Sequence, residues 1–232
     1  MKKLPVTLNQ NTFYQGLIYM LIQQLMLPQL LSTVLVMINK NATSADLNFA
    51  FFSINYVASL IIFRKFIQQE ADHALKNIGR TFLCVLVCYI AYSMMINFVS
   101  TIIYMLDPDY ANLNDAYIAE MSQSQFAMMA VGTVLLVPPA EELLFRGVLF
   151  NRLYQKKPVL GCALSICLFS LVHLLGYIGQ YTPLQFFLAF LQYVPAGIAL
   201  CSAYIFSGTI FAPILLHTVI NGLGMLSLYL MR

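Results

Sequence analysis

An all-α bundle of about seven membrane-spanning helices, six to eight allowing for broken ones, is the fold class that the sequence predicts, on three observations. Of the 232 residues, 60% are hydrophobic and only 9% are charged, against roughly a quarter charged in ordinary globular chains. Mean hydropathy is +0.78. Apolar runs recur at about the 20 residues that a helix needs to cross the hydrocarbon core. These exclude a soluble domain, a disordered chain, a collagen and a disulfide-rich secreted scaffold. The net charge of +3 implies no nucleic-acid partner, because membrane orientation accounts for the basic residues. Cys84, Cys88, Cys162, Cys167 and Cys201 lie in apolar runs without metal-ligand spacing and read as small packing residues.

The first run extends from about Phe13 to Ile38, the second from about Leu47 to Phe63, the third from Thr81 to Leu106, and the fourth starts near Phe126. Three more cover about Pro158 to Ile178, Gln185 to Phe206 and Ile210 to Leu230, joined by a loop at Gln180 to Pro183 and a Ser207-Gly208 turn. The first run is too long for the apolar part of a signal peptide and carries Gln23, Gln24 and Pro28, so it is expected to be retained. With no repeat and no soluble stretch, residues 1–232 read as one integral membrane domain. Its chemistry-bearing core covers about 126–230, and the helices in 13–106 carry no assignable motif.

Lys and Arg accumulate in cytoplasmic loops. With the N-terminus inside, ten basic residues face the cytoplasm: Lys2, Lys3, Arg64, Lys65, Lys76, Arg80, Arg146, Arg152, Lys156 and Lys157. Only Lys40 and Arg232 fall outside. The Asp107–Gln125 stretch, with four acidic and no basic residues, then becomes an outer-face loop. The expectation is an N-in protein of a bacterial cytoplasmic membrane.

Glu141 and Glu142 interrupt the stretch Val131 to Phe150. A carboxylate at membrane depth costs a few kcal/mol and marks a functional candidate when a partner can be named. Arg146 is that partner for Glu142, one turn along the same helical face, while Glu141 points about 100° away and stays free. His173 lies in the fifth run, and His217 in the seventh with Asn221 one turn later. Singly, each polar group could be interhelical glue. If the fourth and fifth helices turn near Lys156 and Lys157, Glu141 and His173 are each about 16 residues, or roughly 24 Å, from the turn. They then sit at one depth, and His217 with Asn221 can reach it from the Ser207-Gly208 turn. Pro138 and Pro139 free backbone groups that can admit water.

A carboxylate and an imidazole at one depth can deprotonate a water, and a second imidazole and a carboxamide can donate to an oxyanion. That describes amide-bond hydrolysis. Glu141, His173 and His217 could equally hold one divalent metal such as zinc with an open position, so metal-dependent and metal-free chemistry both remain. No serine or cysteine is spaced as a nucleophile beside these histidines.

At these residues the chain resembles the CPBP, or Abi, family of intramembrane proteases, which includes type II CAAX prenyl endopeptidases and bacteriocin-processing or self-immunity proteins. Glu141-Glu142-Leu-Leu-Phe-Arg146 matches the family's EExxxR motif, Phe169-Ser-Leu-Val-His173 its FxxxH, and His217-Thr-Val-Ile-Asn221 its HxxxN. Gly197 and Gly208 resemble glycines that often precede the last motif. The resemblance covers roughly Val131 to Gly224. It implies that Glu141 and His173 activate the attacking water, that His217 and Asn221 stabilise the oxyanion, and that Glu142, Arg146 and Phe169 shape the site.

The expected function is therefore an intramembrane endopeptidase acting on a membrane-associated peptide or protein at the lipid bilayer. Neither the oligomeric state nor a requirement for prenylation follows from the sequence. Two other readings compete. One is a self-immunity or membrane partner protein without catalysis, and the other a small transporter or proton relay, which the lack of an inverted repeat disfavours.

Overall fold

The computed structural model describes residues 3–231. Met1, and Lys2 and Arg232 from the charge count, lie outside them. Among the described residues all regular structure is helical. Five stretches are long and apolar enough to cross a membrane, or six if a bent pair counts as one span, which marks an integral membrane protein. The one expected run that falls short is the fifth, α8 (Pro158–Val172), an apolar helix of 15 residues, or about 22 Å, less than the hydrocarbon thickness.

The bent pair is α1 (Gln10–Leu25) with α2 (Leu27–Ile38), which meet at 54°. Asn9 caps α1 by accepting from the Thr12 N–H. Pro28, without an N–H, breaks the ladder where α2 begins. A Thr43/Asp46 capping box opens α3 (Ser44–Lys76). Its 33 residues extend well past the expected end at Phe63, so the joint around Arg64 and His73 is helix and not loop. α4 (Ile78–Leu106) follows and turns Phe82, Leu83, Leu86 and Ile90 outward, the pattern of a lipid-facing surface.

The fourth span departs most from expectation. It starts at Leu113, not near Phe126, because the Asn112 side chain accepts from the Asp115 N–H and caps a helix there. Most of the stretch expected as an outer loop is therefore α5 (Leu113–Val131). Helix then continues to Lys156 through α6 (Val137–Glu142) and α7 (Asn151–Lys156), with π turns at Gly132–Leu136 and Leu143–Phe150. Pro138 and Pro139 withdraw two donors just after the first π turn, as the sequence predicts.

α7 and α8 form the expected hairpin. It is tight: a Cβ on Gly161 would come within 2.8 Å of the Tyr154 backbone nitrogen. α8 ends at His173, earlier than Ile178, and a 3₁₀ turn follows at Leu175–Tyr177. α9 (Pro183–Ser207) packs against α4, α8 and α10 (Phe211–Leu230) and forms the middle of the core. Gly208, at φ 79°, ends α9 in a left-handed turn suited to glycine.

A buried polar network holds the bundle end away from His173. Glu70 of α3 is fully buried. It accepts from the Tyr204 hydroxyl at 2.7 Å and from the Ile210 N–H, at the start of α10, at 2.8 Å. Asn151 donates to the Tyr204 oxygen and the Val6 carbonyl, and accepts from the Leu8 N–H. One carboxylate thus ties α3 to the α9–α10 turn and satisfies an orphan donor of α10. Glu70→Ala, which strands both donors, is expected to lower stability by about 3 kcal/mol. Glu70→Gln keeps an acceptor and costs less. Thermal unfolding of both variants in detergent measures the difference.

Candidate active site

Glu141 and Glu142 end α6, between the two π turns, where successive side chains leave the helix in different directions. Glu142 points into the protein. It and Arg146 are both 0% exposed and pair at 3.0 Å, one helical turn apart. The same Glu142 Oε1 accepts from His217 Nδ1 of α10 at 2.9 Å, since a carboxylate oxygen only accepts. Arg146 also donates to the Gly197 carbonyl of α9 at 3.4 Å, and its guanidinium lies 4.5 Å over the Phe169 ring. Phe169 in turn packs edge-on against Phe145 and His217. Glu142, Arg146 and Phe169 therefore fix the orientation of His217 from behind.

Glu141 points the other way, into a cavity of about 470 Å³ that is also lined by Phe169, His173, His217 and Asn221. The depth argument from the hairpin holds: Glu141 Oε2 lies 4.0 Å from His173 Nε2. His173 Nδ1 is 2.8 Å from the Phe169 carbonyl. That oxygen can only accept, so Nδ1 carries the hydrogen and Nε2 of the neutral ring presents a lone pair to Glu141. Glu141 Oε2 is itself a buried oxygen with no hydrogen-bond partner. Two acceptors thus face each other too far apart to bond directly. A water donating to both at ~2.8 Å would do so at an angle of about 90°.

Asn221 donates from Nδ2 to the Thr133 carbonyl at 2.8 Å, which leaves its second amide hydrogen. Thr133 belongs to the first π turn and itself bonds the Met129 carbonyl, so the irregular helix supplies Asn221's anchor. All four expected catalytic side chains and Phe169 line one cavity. Glu142 and Arg146 support it from within the core.

Sequence reasoning missed several other polar residues of this cavity, among them Tyr92, Asn114, Asp115, Gln192 and Tyr193. Tyr193 stacks on His173 with centroids 4.4 Å apart. Asp115 was assigned to an outer loop, although the Asn112-x-x-Asp115 pattern is itself a helix-start signal that places it one turn inside α5.

Among the described residues, no three His, Cys, Asp or Glu side chains are placed together to hold a metal ion. His217 and His173 each use Nδ1 on a protein oxygen, which leaves Nε2 of both rings as the atoms that could meet a metal. Glu141, His173 and His217 would hold it, but in this arrangement they are not gathered into a three-ligand set.

Residues 123–223 match the family model described as type II CAAX prenyl endopeptidase Rce1-like. That description agrees with the resemblance of the three motifs to the CPBP family, over 101 of the 232 residues. The match runs from the second half of α5 past the middle of α10 and contains every residue of the three motifs. No curated protein and no solved structure matches the chain. The segment similar to CAAX-type proteases thus carries the motif residues of the cavity, while other lining residues, among them Phe52, Tyr92, Asn114 and Asp115, lie outside the match.

Proposed function

We propose that this protein is a CPBP-type intramembrane endopeptidase in which a water held between Glu141 and His173 attacks the scissile carbonyl of a membrane-associated peptide. The observation that carries this reading is the pair of unbonded acceptors, Glu141 Oε2 and His173 Nε2, 4.0 Å apart in a cavity. A carboxylate is an adequate base for a water already polarised by a second acceptor. As the water oxygen bonds to the carbonyl carbon, its proton passes to Glu141, and the carbonyl π electrons move to the oxygen. The oxyanion can take hydrogen bonds from the second Asn221 amide hydrogen and from His217 Nε2. His217 donates there when its ring carries a hydrogen on Nε2 as well as the one that Nδ1 gives to Glu142. Collapse of the intermediate breaks the C–N bond, and Glu141 returns its proton to the leaving amine.

The apolar wall of the cavity, which includes Phe52, Ile118 and Ile220, suits a substrate that arrives from the bilayer. A pooled library of hydrophobic and lipidated peptides, incubated with the purified protein in detergent and read by mass spectrometry, tests the proposal. New peptide termini are expected, in equal yield with and without a chelator. Loss of cleavage on chelation would contradict the metal-free mechanism. A folded protein that cleaves nothing across the library would turn the reading toward a non-catalytic membrane partner.

A further inference from the structure

We infer that the cavity selects peptides carrying a cationic side chain beside the scissile bond, with Asp115 as the group that recognises it. The inference rests on the endopeptidase reading for the identity of the ligand, and on the charge of the cavity wall for its chemistry.

Two carboxylates, Asp115 and Glu141, line the cavity, and no Lys or Arg does so among the described residues. Arg146, the nearest motif cation, is fully buried behind the wall and paired with Glu142. The Glu142 and Arg146 charges cancel, so the lining carboxylates outnumber the cationic groups on the wall even when His217 carries two ring hydrogens, and the empty cavity is net negative. Asp115 is exposed and open to an entering ligand, and such an imbalance favours a ligand that brings a positive charge. Glu141 has a separate use, on the water. Asp115 does not share it. It sits one turn into α5, on the cavity wall with Tyr92 and Tyr193, and at the bundle end where α5 and α9 begin and α8 ends. The tyrosine rings are faces on which an ammonium or guanidinium group can rest while Asp115 accepts its hydrogen bonds. Tyr193 also stacks on His173, so a cation held there lies next to the reacting bond and not at a remote surface. A glutamate at the same peptide position would meet like charge and be rejected.

The test uses N-acetylated, C-amidated apolar peptides that differ at one position, Lys, norleucine or Glu, scanned through the sequence. Blocking the termini leaves the side chain as the only source of positive charge. Affinity is measured in detergent with the Glu141→Gln protein, so that no turnover intervenes, and again after adding Asp115→Asn or Asp115→Lys. At one position the Lys peptide is expected to bind about tenfold tighter than its norleucine partner. Asp115→Asn, which keeps size and shape, should remove that preference, and Asp115→Lys should reverse it in favour of Glu. Equal binding of the Lys and Glu peptides with Asp115 intact, or a preference indifferent to both substitutions, overturns the inference. Binding reads it independently of chemistry. A cation preference without cleavage by the protein retaining Glu141 would sink the endopeptidase reading alone, and cleavage without the preference would sink this one alone.

Discussion

Glu141→Gln is expected to lower kcat for peptide hydrolysis about a thousandfold while leaving the melting temperature and detergent behaviour of the protein unchanged. The substitution keeps the size of the side chain and removes only its capacity to take a proton. General-base catalysis typically contributes between about a hundredfold and ten-thousandfold. The Gln side chain could also turn its amide NH2 toward His173 Nε2, 4.0 Å from the carboxylate oxygen in this structure, and so compete for the position of the water. The fold has little to lose. Glu141 Oε2 makes no hydrogen bond, and its neighbour Glu142 carries the contacts to Arg146 and His217. Turnover of one peptide by the two proteins, with melting curves alongside, checks the expectation. A variant that cleaves at the wild-type rate would remove Glu141 from the chemistry.

The largest stability effect is expected at Arg146. Replacing it with Met leaves the Glu142 carboxylate, 0% exposed, without the guanidinium 3.0 Å away, and also empties the face of Phe169. Breaking a buried ion pair from one side costs about 3 to 5 kcal/mol, because the remaining charge has neither water nor partner. His217 is the one other group on that oxygen. Its orientation should suffer too, so activity falls along with stability. Replacing both members, Glu142→Met with Arg146→Met, removes the stranded charge and should recover much of the stability without recovering activity. Thermal unfolding of the two single variants and the double variant measures the coupling. If Arg146→Met melted like the wild type, the pair would not be buried in the protein as it folds.

The sequence made the spans legible where apolar runs were uninterrupted, as in α4, α9 and α10. It also made Glu141, Glu142 and Arg146 conspicuous, because charge in an apolar run has few innocent explanations. The match in depth of Glu141 and His173 needed only the hairpin at Lys156 and Lys157 and the rise of a helix. Three features were harder. α3 runs on through Arg64 and Lys76 because an amphipathic helix emerging from a membrane reads, by hydropathy alone, like a polar joint. Glu70 went unnoticed in that segment for the same reason, although it is fully buried. Its partners Tyr204 and Ile210 lie more than 130 residues away, and no local pattern announces such a contact. Asp115 was hidden by a loop assignment that the Asn112 cap contradicts. The Thr133 carbonyl that anchors Asn221 belongs to a π turn, a register change that an ideal 3.6-residue period does not foresee.

In the proposed mechanism Glu141 and His173 act on one water. The most direct measurement is kcat for the wild type, Glu141→Gln, His173→Ala and the double variant on one cleaved peptide. Groups that act as a unit are strongly non-additive. Each single substitution is predicted to remove nearly all activity, and the double variant to be no slower than the slower single. Losses that multiply in the double variant would mean that the two residues act independently, and would contradict the shared water.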